Sequence, residues 1–244
     1  IEYLNIQDEG GTKEIIDKVT NKILSQLDEI NAKSRVQIPI SELTVALQCG
    51  GSDSYSGITS NPALGIASDM IVDNGGSTIL AETTEIYGAE HLLFERSVNK
   101  ENIIKIEKQI EWWKEYLSKN NSVLDNNPSP GNKKGGLTTI LEKSLGAVAK
   151  SGSRNMVDVL DYAEKLKIRG FNFMNSPGYD PVSVTGQVAS GANVICFTTG
   201  RGSCFGFKPT PSIKNLTQIC IINYLKIWIL MQEQLWIIKK HLKM

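Results

Sequence analysis

Apolar and polar positions change period several times along the chain, and the changes predict helices alternating with short strands. Between residues 11 and 31, Ile15, Ile16, Val19, Ile23, Leu27 and Ile30 recur at three- and four-residue spacing, the stripe of an amphipathic helix. Pro39 then precedes a short apolar run, 43–48, read as a strand that ends in Cys49-Gly50-Gly51-Ser52-Asp53-Ser54. Residues 66–72 read as a helix stopped by Asn74-Gly75-Gly76, and 77–81 as a second strand ending at Glu82. Helices are expected over 86–94 and over 102–119, where Ile103, Ile106, Ile110, Trp113 and Leu117 face inward. The run from Asn126 to Asn132, with Pro128 and Pro130, reads as a shaped, non-helical loop. Helices resume over 137–150 and 156–165. Strands over 170–174 and 193–199 run into the polar turns 175–180 and 198–203.

Short buried strands alternating with helices argue for an α/β domain, a parallel sheet with helices on both faces. Such sheets bind ligands beyond the carboxyl ends of their strands. Here four strands end in turns that combine glycine with polar or charged groups: 49–54, 82–85, 175–180 and 198–203, which the proline loop 127–134 can join. Gathered on one rim, they predict a polar pocket for a hydroxylated or anionic ligand.

Composition narrows the classes. Apolar residues make up 41% of the 244, enough for a core, and 26 basic residues balance 26 acidic ones. That balance gives no electrostatic footprint for nucleic acid and no basic face for a membrane. Cys49, Cys196, Cys204 and Cys220 are too few for a disulfide scaffold and show no zinc spacing. The chain begins Ile-Glu-Tyr, with no signal pattern, so we expect a cytoplasmic protein cut from something longer. Residues 217–244 depart from the rest. They hold seven isoleucines, none of the 21 glycines, and four lysines against one acid, so +3 against −3 for the remainder. Lys226, Glu233 and the Lys239–Lys240 pair interrupt any membrane-length apolar run there, and a packed terminal helix fits the composition.

Several side chains are suited to chemistry. Cys49 can be read as a nucleophile, a soft metal ligand or a small buried hydrophobe, the last being the usual role of a lone cysteine. Glu82, Glu85, Glu90 and His91 form the densest ionisable group at a strand end. A first-turn position explains Glu85 through the helix dipole, and His91 can simply pack on its helix. As ligands, these carboxylates and one imidazole suit divalent iron, manganese or magnesium better than zinc. Residues 131–136 fail the spacing of a nucleotide phosphate loop, but Lys133 and Lys134 stand before a helix, where a carboxylate is well held. Gly200-Arg201-Gly202 fails the dinucleotide fingerprint, leaving Arg201 as a fork for a substrate carboxylate or a solvated surface side chain. No Ser–His–Asp arrangement can be assembled.

At these same turns the sequence resembles the altronate/galactarate dehydratase family. The likeness is carried by Leu47-Gln-Cys-Gly-Gly-Ser-Asp53, Gly57-Ile-Thr-Ser-Asn-Pro-Ala63, Glu82-Thr-Thr-Glu-Ile-Tyr-Gly-Ala-Glu-His91, Asn127-Pro-Ser-Pro-Gly-Asn-Lys133, Gly136-Leu-Thr-Thr-Ile-Leu-Glu-Lys143, Pro177-Gly-Tyr-Asp-Pro-Val182 and Phe197-Thr-Thr-Gly-Arg-Gly202. It runs from about residue 5 to 214, with an altronate flavour at 85–91 and 177–180. The resemblance implies a cytoplasmic hydro-lyase turning D-altronate into 2-dehydro-3-deoxy-D-gluconate, with galactarate dehydration, sulfolactate sulfo-lysis or non-catalytic sugar-acid binding as alternatives. It implies a Rossmann-like parallel sheet, incomplete at both ends here, and dependence on Fe2+ or another divalent cation such as Mn2+ or Mg2+. On that basis Cys49, Glu82, Glu85 and His91 are expected to hold the metal. Arg201, Lys133 and the amides of Gly50 and Gly51 would grip the substrate carboxylate, with Ser52, Asn132 and Thr199 as further contacts. Asp53 or Asp180 would serve as base, with Lys133 also counted among the catalytic groups. The implied partners are the sugar acid and a second copy of the chain or a separate N-terminal domain or subunit. The resemblance divides the chain into 1–40, the end of an upstream domain with a linker; 41–216, the dehydratase C-terminal domain; and 217–244, an aberrant tail. Residues 225–234, back-translated in another frame, can spell the DMDINAG that the family carries, so we expect a frameshift.

Overall fold

The computed structural model describes residues 3–216. The tail expected over 217–244 lies outside the described residues. Two units separate at Ile38–Pro39. In the first, the apolar stripe forms helix α1 (Thr12–Asn31), none of whose residues is buried. The second unit carries everything that follows.

Its strands are β1 (Thr44–Cys49), β2 (Ser77–Ala81), β3 (Met156–Leu160), β4 (Phe171–Met174), β5 (Val194–Thr199) and β6 (Ser212–Leu216). They form one open, all-parallel sheet in the order β3-β4-β2-β1-β5-β6. Parallel strands are covered on both faces and read as continuous apolar runs, which is how β1, β2, β4 and β5 look in the sequence. Alternate residues of β1 point to opposite layers. Val45 and Leu47 join Leu64, Leu80, Phe171 and Phe173 in one core, while Ala46 joins Ile79, Val184, Ile195 and Phe197 in the other. The expected α/β architecture is therefore present.

Eight α-helices fall in the described residues: besides α1, α2 (Ser54–Ile58), α3 (Ser60–Asp73), α4 (His91–Phe94), α5 (Lys100–Lys119), α6 (Pro130–Lys134), α7 (Ile140–Ala149) and α8 (Asp180–Ala189). Some differ from expectation. Residues 156–165, read as a helix, form none: Met156–Leu160 are the edge strand β3, and a turn follows. Met156, Val159 and Leu160 mimic helical spacing, but β-branched valines and pairing to β4 prevail, with a register shift between Met156 and Asp158. The helix expected over 86–94 shortens to the single turn α4. The proline loop is partly helical: Pro130 occupies the first turn of α6, where a missing N–H costs nothing, and Ser129 and Asn132 form its capping box. Helices α2 and α8 and strand β6 were not anticipated.

The topology fixes where a ligand fits. From β1 the chain builds outward through β2, and it reaches the other side of β1 only with β5. The crevice beyond the carboxyl ends of β1 and β5 is the switch point of the sheet. Gly50 N–H donates to the Thr198 carbonyl at 3.2 Å and Arg201 N–H to the Gly51 carbonyl at 3.1 Å, tying the two turns together.

Candidate active site

A cleft of about 520 Å³ opens at this rim. The turn after β1 contributes Cys49, Gly50, Gly51 and Ser52; the turn after β2, Glu82 and Glu85; the turn after β4, Pro177, Gly178 and Asp180; the turn after β5, Arg201. Helices α5, α6 and α7 add Trp113, Asn132 and Lys143. Close approach is built into the backbone. Gly51 has φ +59°, and a Cβ there would lie 2.5 Å from the Gly202 carbonyl oxygen.

Two carboxylates share one amide. Gln48, wholly buried, donates from Nε2 to Glu82 Oε1 at 2.7 Å and to Asp180 Oδ1 at 3.1 Å, while its Oε1 accepts from Ser183 Oγ at 3.2 Å. Glu82 adopts φ 76°, ψ 74°, a left-handed conformation that a non-glycine residue holds only under constraint. The constraint is visible: its N–H donates to Ser176 Oγ at 3.0 Å, and the next N–H, that of Thr83, donates to the Ser176 carbonyl at 2.9 Å. Burial, then repulsion from Glu85 and Asp180 against the pull of Lys150, pushes the Glu82 carboxyl up to about 8. At neutral pH it is mostly a protonated acid. Burial also raises Asp180, opposed by its bond from Gln48.

Two cations at the site are lysines that sequence reasoning passed over. Lys150, 1% exposed, donates to Cys49 Sγ at 2.9 Å. Burial disfavours its ammonium, but Cys49, Glu82 and Glu85 together outweigh that and hold it charged. Burial pushes the Cys49 thiol up, against the pull of Lys150. Lys143 donates to Glu85 Oε1 at 3.0 Å and Asn127 Oδ1 at 2.7 Å. Glu85 Oε2 also lies 3.0 Å from this ammonium, yet it is buried and accepts no hydrogen bond. Lys143 and Arg201 line the cleft and Lys150 lies beside Cys49 at its edge, so an anion entering the cleft meets cations.

Of the residues expected at the site, Cys49, Gly50, Gly51, Ser52, Glu82, Glu85, Asn132, Asp180 and Arg201 line the cleft. Asp53, Thr199, Lys133 and His91 do not. Asp53 caps α2 by accepting from Ser56 N–H at 2.7 Å, and Gly200 packs so close that a Cβ there would lie 2.1 Å from its carboxyl group. Thr199 is buried and accepts from Gly202 N–H at 3.0 Å, holding the β5 turn. Lys133 and His91 are exposed, on α6 and α4. Of the four residues expected to hold Fe2+, Mn2+ or Mg2+, Cys49, Glu82 and Glu85 share the cleft and His91 does not. Ammonium groups already engage Cys49 and Glu85, and no three His, Cys, Asp or Glu side chains among the described residues are spaced to hold a metal ion.

The profile of the D-galactarate/altronate dehydratase C-terminal family matches residues 40–232. The chain belongs to this family. It is 41% identical over 222 residues to a galactarate dehydratase (L-threo-forming) of Escherichia coli (strain K12), an alignment covering 90% of this chain and 42% of that protein. It is 45% identical over 186 residues to an altronate dehydratase of Bacillus subtilis (strain 168), covering 76% and 37%. A (2R)-sulfolactate sulfo-lyase subunit beta of Chromohalobacter salexigens is 33% identical over 210 residues, covering 85% and 54%. The chain thus spans about two fifths of the length of the two dehydratases. No helix among the described residues is long and apolar enough to cross a membrane.

Proposed function

We propose that the chain is the catalytic part of a cytoplasmic hydro-lyase that removes water from a sugar acid, converting D-altronate to 2-dehydro-3-deoxy-D-gluconate. One observation carries the reading: a single buried amide donates to both the Glu82 and the Asp180 carboxyl groups in a cleft that Lys143 and Arg201 also line, and burial pushes Glu82 up to about 8. Elimination across C2–C3 needs a base for the C2 proton, an acid for the departing C3 oxygen, and positive charge to steady the enediolate that develops on the carboxylate.

Asp180, half-buried and lining the cleft, is the base. It takes the proton from C2. The electron pair left on C2 is first delocalised into the carboxylate, then forms the C2–C3 double bond as the C3–O bond breaks. Glu82 gives its proton to the departing hydroxyl, which leaves as water, and the enol product tautomerises to the 2-keto acid. Arg201 and Lys143 grip the carboxylate, and Lys150 adds positive potential from beneath Cys49. Glu85 Oε2, buried beside the Lys143 ammonium, accepts a substrate hydroxyl. A second copy of the chain or a separate N-terminal subunit completes the enzyme, as the resemblance implies, and light scattering tests the dimer.

Incubation with D-altronate, followed by detection of a 2-keto-3-deoxy acid, tests the reaction. Product that disappears in both Asp180→Asn and Glu82→Gln supports the assignment, and full turnover by either variant overturns it.

A further inference from the structure

One wall of the cleft carries no charge. Trp113 and Leu117, one turn apart on α5, line it with Val123 and Leu124 from the segment that follows. The indole is fixed from both neighbouring strand ends: Asn175 Oδ1, beyond β4, accepts from Trp113 Nε1 at 3.0 Å and from Thr83 Oγ1, beyond β2, at 2.7 Å. The ring therefore presents a fixed surface rather than a mobile one. An adjoining hollow of about 450 Å³ shares Leu117, Ser122, Val123 and Leu124 with the cleft, so this wall is the side where the cleft runs outward. Lys114 is the cation of that hollow. It does not line the cleft, and it is turned toward Glu111 at 3.2 Å and the Tyr87 ring at 5.8 Å. The cations that line the cleft, Lys143 and Arg201, belong to α7 and to the turn after β5.

We propose that the Trp113–Leu117–Val123–Leu124 wall is a specificity element that selects monocarboxylic sugar acids over dicarboxylic ones. The inference rests on the acid-binding reading of the cleft and adds which end of the ligand meets which side. With one carboxylate on Arg201 and Lys143, the far end of the carbon chain lies along the wall. A terminal CH2OH packs its carbon on the indole and leaves its hydroxyl toward the polar outlet. A second carboxylate in the same place lies against the indole and the leucines and meets no counter-ion, which is costly. Rejection of the wrong ligand by an unpaired charge is an efficient route to selectivity.

Calorimetric titration of the 244-residue chain with D-altronate and with galactarate tests this, alongside Trp113→Arg and Leu117→Lys, each of which puts a cation on the wall. The wild-type chain is expected to bind altronate at least about tenfold tighter than galactarate. Either variant, shown folded by circular dichroism, is expected to narrow that ratio by about tenfold or more, mainly through tighter galactarate binding. Equal binding of the two acids by the wild-type chain, or an unchanged ratio in a folded variant, overturns the specificity wall while leaving the cleft as an acid site. Binding of neither acid overturns both. Leu117→Lys serves where Trp113→Arg fails to fold, because it leaves the bond to Asn175 in place.

Discussion

Replacing Glu82 by Gln should stabilise the protein, and by an amount that depends on pH. In the folded chain the Glu82 carboxyl titrates at about 8, against an ordinary value of 4.5. Between those values the folded state keeps the proton and the unfolded state gives it up, so stability is lost as pH rises. Each unit of this window is worth about 1.4 kcal/mol. Glutamine is close in shape to the protonated acid, keeps an oxygen for the Gln48 amide, and cannot ionise in either state. The variant should therefore exceed the wild type by about 1 kcal/mol at pH 5, about 3 at pH 7 and about 4 at pH 8, then level off. Urea unfolding of both proteins, followed by circular dichroism from pH 5 to 9, measures the difference. A gap that stays flat with pH would mean that Glu82 is ionised in the folded cleft, and the acid role assigned to it would fall with it.

Three further outcomes follow from the same geometry. Lys143→Met leaves Glu85 buried without its cation, and breaking such a pair should cost about 3 kcal/mol in urea unfolding as well as abolishing turnover. Gly51→Ala forces a side chain into φ +59° and against the Gly202 carbonyl, so a loss of more than about 1 kcal/mol is expected, with weaker acid binding by calorimetry. His91→Ala should leave both stability and turnover unchanged, since the imidazole is exposed away from the cleft; a fall in turnover would return His91 to the chemistry.

Much of the scaffold could be read because a parallel sheet leaves a strong trace. Val45-Ala-Leu47, Ile79-Leu-Ala81 and Val194-Ile-Cys-Phe197 are continuous apolar runs, and a glycine or an acid follows each within three residues, where the chain turns toward the cleft. Edge strands lack that trace. β3 mixes Asp158 into its middle, and β6 is a polar pentapeptide following Pro211, so neither stands out. Helix α8 hid behind Pro177-Gly178 and Pro181, although Pro181 sits in its first turn, where proline is welcome.

The site was legible to the same degree. Loop residues such as Glu82 and Arg201 stand out because turns carry few reasons to hold a charge. Gln48, Lys143 and Lys150 lie inside or at the end of regular elements, and no spacing rule marks them. A signal was nonetheless present: Gln48 interrupts an otherwise apolar buried strand, and Lys150 follows Ala147-Val148-Ala149. A lone polar residue in such a setting needs a buried partner, and the partners here are Glu82, Asp180 and Cys49. His91 and Lys133 misled for the opposite reason. They adjoin cleft residues in sequence, but α4 and α6 turn them outward.

The most direct test is a crystal of the chain soaked with D-altronate. The carboxylate should lie within hydrogen-bond distance of Arg201 and Lys143, with C2 facing Asp180, the C3 oxygen near Glu82 and the far end along Trp113. Altronate bound instead at the opposite rim, in the hollow of Val72, Arg154 and Arg169, would contradict the account.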